Sequence, residues 1–290
     1  MFLDPKKLER NFIKSCLKKI PKEDFISCEY DIENQSEITD ILIIFSTPRS
    51  GSTFLSELLF RSGLCLPHEY FQPFQYLPIL AERWNAIENL TISKEKFIEA
   101  LIKYRTSEKG WLGINLHGEH LAEFNRYRDY FPNVNWHCIY LYRQNTIKQA
   151  ISLDVAFQNK KWTKFFDEKA PLKYSYNSIY DKLIRINKQN NLIQSYLNSF
   201  YSDIIKISYE NLISNPIPIL SDALPAITLS DNSVKSVNIE KQKDILKQQW
   251  NEQFSKDYFD KEKLKTHLTD EKVTIKGKIF KILSRRKNSK

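Results

Sequence analysis

Ile41-Leu-Ile-Ile-Phe45, then Ser46-Thr-Pro-Arg-Ser-Gly-Ser-Thr53, then Phe54, Leu55, Leu58 and Leu59 form the stretch that decides the fold. Five apolar residues in a row, mostly β-branched and bounded by polar turn formers, predict a short buried strand. Apolar residues at i, i+1, i+4 and i+5 predict one face of a helix. Strand, short polar turn and helix together open an α/β unit.

Working outward, a helical region is expected around residues 76–105 and a strand near Leu112-Gly-Ile-Asn-Leu-His117. Trp136-His-Cys-Ile-Tyr-Leu-Tyr142 reads as another strand closed by Arg143, Thr146 to Trp162 as a helix, and Ile204-Ile-Lys-Ile-Ser208 as a last strand. Strands separated by long helical stretches need crossover connections, so a parallel sheet with helices on both faces is expected, a three-layer αβα fold. No glycine-rich linker and no internal repeat divides the chain. The expected organisation is a helical N-terminal extension over 1–40, one domain over 41–260, and a basic C-terminal tail over 261–290.

Composition supports a folded domain. The 290 residues are 41% hydrophobic and include 18 Phe, 15 Tyr and 5 Trp, ample surface to bury, whereas 6 Gly and 11 Pro exclude collagen-like chains. No run approaches the ~20 apolar residues of a membrane span, and Met1 to Lys19 lacks the apolar core of a secretory signal. The net charge of +9 is local: Lys272 to Lys290 holds eight Lys or Arg and no acid, leaving the first 271 residues near neutral, at about +1. No nucleic-acid partner is therefore expected. The tail reads either as a solvated end or as a peripheral contact with an anionic membrane, because Ile275, Ile279, Phe280, Ile282 and Leu283 interleave with the cations. Cys16, Cys28, Cys65 and Cys138 lack CxxC or ligand spacing, which suits a reducing cytoplasm, and five His form no HExxH, so no metal is expected.

The turn itself carries chemistry. A helix N-terminus offers free N–H groups and about half a positive charge; Gly51 permits close approach, Arg49 adds a planar fork, and Ser50, Ser52 and Thr53 add hydroxyls. An ordinary Ser/Thr helix cap is the alternative. The turn is not a Walker A loop, since Gly51 is followed by Ser52 and position 46 is a Ser, and GxGxxG occurs nowhere.

Arg49-Ser-Gly-Ser-Thr53 resembles the 5′-phosphosulfate loop of sulfotransferases that use 3′-phosphoadenosine 5′-phosphosulfate (PAPS). Arg143 and Ser152, nine residues apart, resemble that family's site for the 3′-phosphate. Further segments are similar to the bacterial trehalose 2-sulfotransferase-like branch: Ser46 to Leu55 with Pro48 extra, Pro67-His-Glu-Tyr-Phe-Gln72, Gln149-Ala-Ile-Ser152 six residues after Arg143, Ala156-Phe-Gln158 and Trp162, and Glu240-Lys-Gln-Lys-Asp244 with Trp250. The resemblance covers about residues 41–255. It departs at Asn115, where the branch has Lys, at Val155, where it has Arg, and in two added residues within Gln72-Pro-Phe-Gln75. The donor side follows the branch more closely than the acceptor side.

The resemblance implies a P-loop NTPase-like sulfotransferase fold, PAPS as co-substrate without a metal, and transfer of a sulfuryl group to a hydroxyl of a saccharide or glycolipid, leaving PAP. It implies cofactor contacts from Arg49, Ser50, Gly51, Ser52, Thr53, Arg143, Ser152, Tyr209 and Lys241, with Arg49 also stabilising the reacting charge. Glu69 of the Pro-x-Glu motif is the implied general base, and His117, at a strand end where the eukaryotic cytosolic sulfotransferases carry a catalytic His, is its rival. The trehalose-modifying relatives imply a homodimer. Two other readings stand beside this one: an ATP-dependent small-molecule kinase, which wants a phosphate-binding Lys and an Mg²⁺-holding acid, and a non-enzymatic membrane or nucleic-acid adaptor acting through the basic tail.

Overall fold

The computed structural model describes residues 12, 13, 15, 25–32, 36–160, 171–229, 234 and 246–262. Most of the expected N-terminal extension, Trp162, the segment around Lys241 and nearly all of the basic tail lie outside the described residues.

Strand β1 (Asp40–Ser46) runs into helix α1 (Ser52–Arg61) through the turn. Then come α2 (Tyr76–Arg83), a two-stranded hairpin of β2 (Ile87–Glu88) and β3 (Thr91–Ile92), and α3 (Lys94–Arg105). The second half alternates strand and helix: β4 (Trp111–His117), α4 (Leu121–Asn125), β5 (Asn135–Tyr142), α5 (Thr146–Asn159), α6 (Tyr176–Phe200), β6 (Ile204–Ser208), α7 (Tyr209–Ser214) and α8 (Pro216–Ala223). The single helical region expected over 76–105 is thus two helices. Asn85 takes a left-handed φ of 54° and ends α2, while Asn85 N–H and Ala86 N–H bond back to the carbonyls of Glu82 and Ala81.

The main sheet is parallel with order β4-β1-β5-β6. Residues 41–45 of β1 are fully buried, and their alternation serves both faces. Ile41, Ile43 and Phe45 join a core with α2, α3, α4 and the C-terminal half of α6. Leu42 and Ile44 join another with α1, α7 and α8. This is the three-layer α/β fold. Trimming any of these side chains to Ala would cost about 2–5 kcal/mol, because both helical layers lean on the strand. A third cluster joins α5 and α6 to Trp250 and Phe254 of the helix over 246–262, so the chain near 250 belongs to the domain body.

Residues 25–32 also pack on that body. Asp31 bonds both guanidinium nitrogens of Arg83 at 2.7 and 3.0 Å and pairs with the fully buried Arg105 at 3.1 Å. Cys138 behaves as a small core residue, and burial pushes its thiol up to about 12. No helix among the described residues is long and apolar enough to cross a membrane.

The strand order positions the site. From β1 the chain goes to β4 on one side, then returns to β5 on the other, so the C-terminal end of β1 is a switch point where a crevice opens in sheets of this kind.

Candidate active site

At that switch point the turn 46–51 is held tightly. Ser50 N–H closes it on the Thr47 carbonyl at 3.1 Å, and the buried Gln149 of α5 donates to Thr47 Oγ1 and to the Pro48 carbonyl, each at 2.8 Å. Ser46 Oγ donates to Asn115 Oδ1 at 3.1 Å, tying the turn to β4. Asn115, a departure from the branch pattern, is therefore a buried strut.

Arg49 has a φ of +66° and Gly51, the N-cap of α1, a φ of +96°. Two left-handed residues flanking Ser50 curl the backbone so that successive N–H groups can face one ligand. The N-cap is a glycine and α1 has no side-chain cap, so the ordinary-cap alternative does not apply. Ser50 Oγ is buried without a hydrogen-bond partner among the described residues. A side chain cannot replace the Gly51 hydrogen: a Cβ there would lie 2.3 Å from Cδ2 of Tyr209. The first residue of α7 thus seals the turn.

Arg143 joins the cluster from the end of β5. It donates to the Arg49 carbonyl at 3.2 Å, and its guanidinium lies 4.5 Å above the Tyr209 ring. Arg49 Nε donates to Ser152 Oγ at 3.2 Å. Glu210 accepts from the backbone N–H groups of Gln144 and Asn145 at 3.0 and 3.4 Å and lies 4.0 Å from Arg143. Burial and the neighbouring Arg143 charge both push the Arg49 pKa down. Two guanidinium groups, hydroxyls and an uncapped helix start form a receptor for an anion.

A second cluster forms at the end of β4. Pro67 and His68 run along that strand: His68 pairs with Ile114, Asn115 N–H bonds its carbonyl at 2.9 Å, and Gly113 makes room, since a Cβ there would lie 2.7 Å from Pro67. This delivers Glu69 to His117, the register partner of Ser46. Glu69 Oε2 is 3.7 Å from His117 Nδ1, 3.9 Å from His120 Nε2, and accepts from Gln72 at 3.0 Å. The two bases proposed as rivals therefore face each other.

Three ligand-type atoms here lie within 4.8 Å of one another, which the reading of the histidines as unclustered did not anticipate. They do not suit a resident metal. His120 Nδ1 accepts the His117 backbone N–H at 3.3 Å, so the proton of the neutral ring sits on Nε2, the atom facing Glu69. Burial and the nearby His117 and Arg185 push the His120 pKa well down, which keeps the ring neutral. A His117 bound through Nδ1 would leave Nε2–H buried with no acceptor, where a ligating histidine usually has one. What results is a carboxylate facing one fixed N–H and one imidazole.

Arg49, Ser50, Gly51, Arg143, Ser152 and Tyr209 thus meet in one cluster, and Glu69 and His117 in the adjoining one. Ser52 and Thr53 open α1, Ser52 buried and Thr53 exposed. Lys241 is outside the described residues. His120 and Gln149 are site residues that the sequence analysis gave no such role. The spacing His117-x-x-His120 was a signal for the first; nothing local signals the second's grip on the turn.

The Stf0 sulphotransferase family model matches residues 41–257. Among solved structures, the sulfotransferase domain from the Synechococcus PCC 7002 olefin synthase is similar at 14% identity and a TM-score of 0.45, over 74% of this chain and 83% of that one. Sulfotransferase STF9 from Mycobacterium avium is similar at 12% identity and 0.42, over 70% and 67%. No curated protein matches the chain.

Proposed function

This chain belongs to the Stf0 sulphotransferase family, and from that premise we propose that it moves a sulfuryl group from PAPS to a hydroxyl of a saccharide or glycolipid. The observation that carries the donor half is the pair Arg49 and Arg143, joined through the Arg49 carbonyl at an uncapped helix start. Glu210 lies 4.0 Å from Arg143, and two guanidinium groups drawn together at this turn still favour an anion between them. The residues present fit the donor: the turn amides, Ser50 and Arg49 would take the 5′ end, Arg143 the 3′-phosphate, and the Tyr209 ring a flat face near the base.

The donor supplies a sulfuryl group activated by its phosphate leaving group. The chain's work is positional and electrostatic. Arg49 and the α1 amides stabilise negative charge that builds on the bridging oxygen as its bond to sulfur breaks and the electron pair stays on the phosphate. Glu69 takes the acceptor's hydroxyl proton as the new oxygen–sulfur bond forms, with Gln72 orienting the carboxylate and His120 Nε2 3.9 Å away. The products are PAP and a sulfate ester. The kinase alternative finds no lysine in the turn 46–53.

Two measurements test this reading. PAP should raise thermal stability by about 2.7 kcal/mol at one hundred times its Kd, and ATP with Mg²⁺ by far less. Labelled PAPS offered with glycan and lipid extracts should yield a labelled sulfate ester. Stabilisation by ATP–Mg²⁺ alone would overturn the proposal.

A further inference from the structure

One buried group packed on the turn after β4 takes no part in the chemistry above. Gln189 of α6 is 4% exposed, and neither its Nε2 nor its Oε1 has a hydrogen-bond partner among the described residues. A buried amide left unmatched at both ends is costly, and such groups in folded proteins are commonly answered by a ligand or by water.

Its location identifies the ligand. Gln189 lies against the turn that follows β4: a Cβ on Gly118 would sit 2.9 Å from Gln189 Cβ and 2.8 Å from its carbonyl oxygen. The helix cannot roll to release the side chain. Arg185, one turn earlier, holds both Glu119 carboxylate oxygens at 2.9 and 2.8 Å, Asn190 accepts from Tyr140 at 3.2 Å, and Ile186 and Ile193 are fully buried. His117, the neighbour of Gly118, has its Nε2 buried without a partner as well. The unmatched amide thus belongs to a residue packed on Gly118, and the unmatched imidazole nitrogen to His117 just before that glycine; His117 Nδ1 lies 3.7 Å from Glu69.

We infer that Gln189 is an acceptor-binding residue that reads hydroxyls next to the one being sulfated, with His117 Nε2 completing the subsite. A planar amide with one donor edge and one acceptor edge complements a vicinal diol, in which each hydroxyl can give or take a hydrogen bond. This favours a polyhydroxylated acceptor over a simple alcohol or phenol. The inference rests on the sulfuryl-transfer reading and names the acceptor side of the same site.

The test uses the full chain with labelled PAPS and a panel of methyl glycosides, each beside its monodeoxy analogues, for the parent and for Gln189→Met and Gln189→Leu. PAP affinity and thermal unfolding are followed alongside, and two variants guard against one misfolding. The parent should prefer one glycoside over one of its deoxy analogues by about 10- to 100-fold in kcat/KM. Both variants should pull that ratio toward unity, mainly through a higher KM, with PAP affinity unchanged. Thermal stability should hold or rise, since an unmatched amide is removed. A parent that binds PAP and sulfates none of the glycosides, or only a simple alcohol, would overturn the polyhydroxylated acceptor and this subsite with it. A ratio unchanged in the variants would remove Gln189 alone and leave the enzyme standing. A parent that neither binds PAP nor transfers label would defeat the reading beneath both.

Discussion

At the N-terminal ends of β1 and β5, Asp40 and His137 are hydrogen-bonded at 2.8 Å, and the Trp111 ring of β4 stacks on the imidazole with centroids 4.6 Å apart. At the C-terminal end of β1 and just beyond β5, Arg49 and Arg143 are folded together with like charge, and at the end of β4 His117 Nε2 is buried without a hydrogen-bond partner among the described residues. The same three strands thus finish one edge with a carboxylate bonded to its neighbours and the other with two cations drawn together beside Glu210. Burial works to raise the Asp40 pKa, yet hydrogen bonds from His137, Thr39 and Asn135 outweigh it and hold the carboxyl below its ordinary value. For Arg49, burial and Arg143 act in one direction, against the charged form. An edge of hydrogen-bonded partners serves stability, while two cations gathered at an uncapped helix start suit an anion bound there.

The strongest attempt to break this contrast is Arg49→Ala. It should lower PAP affinity and turnover by about 100-fold or more, because the guanidinium fork opposite the donor's oxyanions is gone. Folding stability, read by chemical denaturation, should not fall, since a partly buried like-charge contact is relieved. Lost stability with intact PAP binding would place Arg49 on the structural side of the comparison.

Next in size is the contest at β4. Glu69→Gln should cut turnover by on the order of 100-fold with PAP affinity preserved, as for a lost proton acceptor. His117→Ala, judged by kcat and KM separately, should raise KM more than it lowers kcat. A mild Glu69→Gln defect beside a severe loss of kcat in His117→Ala would transfer the base to the histidine.

A smaller effect should separate Arg143 from Ser152. Arg143→Ala should weaken PAP by about 10-fold and adenosine 5′-phosphosulfate, which lacks the 3′-phosphate, much less. Ser152 touches Arg49, so Ser152→Ala should weaken both ligands to a similar, modest degree. Equal losses for both ligands in Arg143→Ala would mean that the 3′-phosphate lies elsewhere.

The smallest change is expected at the opposite edge. Asp40→Asn should cost about 0.5–1 kcal/mol at neutral pH, the worth of a partly exposed pair, and leave PAP affinity untouched. The Asp40 pKa is depressed in the folded state. Its contribution is therefore present above the ordinary carboxylate pKa and lost as pH falls through the folded value. The gap between parent and variant in denaturant titrations should close in acid; a gap that widens there would refute the pairing.

By itself the sequence determined β1, the turn and α1, the parallel three-layer arrangement, and the residue types of the candidate anion site. Those signals are local: an apolar run, a helical period, and a Gly with Arg and Ser packed into a few positions. The strand at 204–208 was legible with the same limits for the same reason. Tertiary structure alone decided what meets what. Strand order put the end of β1 between those of β4 and β5, which brought Arg143 to Arg49 across 94 residues and Ser152 across 103. The pairing of His68 with Ile114 set Glu69 opposite His117 and made two rival bases neighbours, while the packing of α6 on Gly118 buried Gln189 at the same turn. The break at Asn85 within 76–105 lay between, since an Asn tolerates both a helix and its left-handed end, and the packing of the following hairpin selects one. Backbone preferences are short-ranged and survive in the string of letters; the meeting of side chains across a parallel sheet depends on crossovers and register, which no local segment encodes.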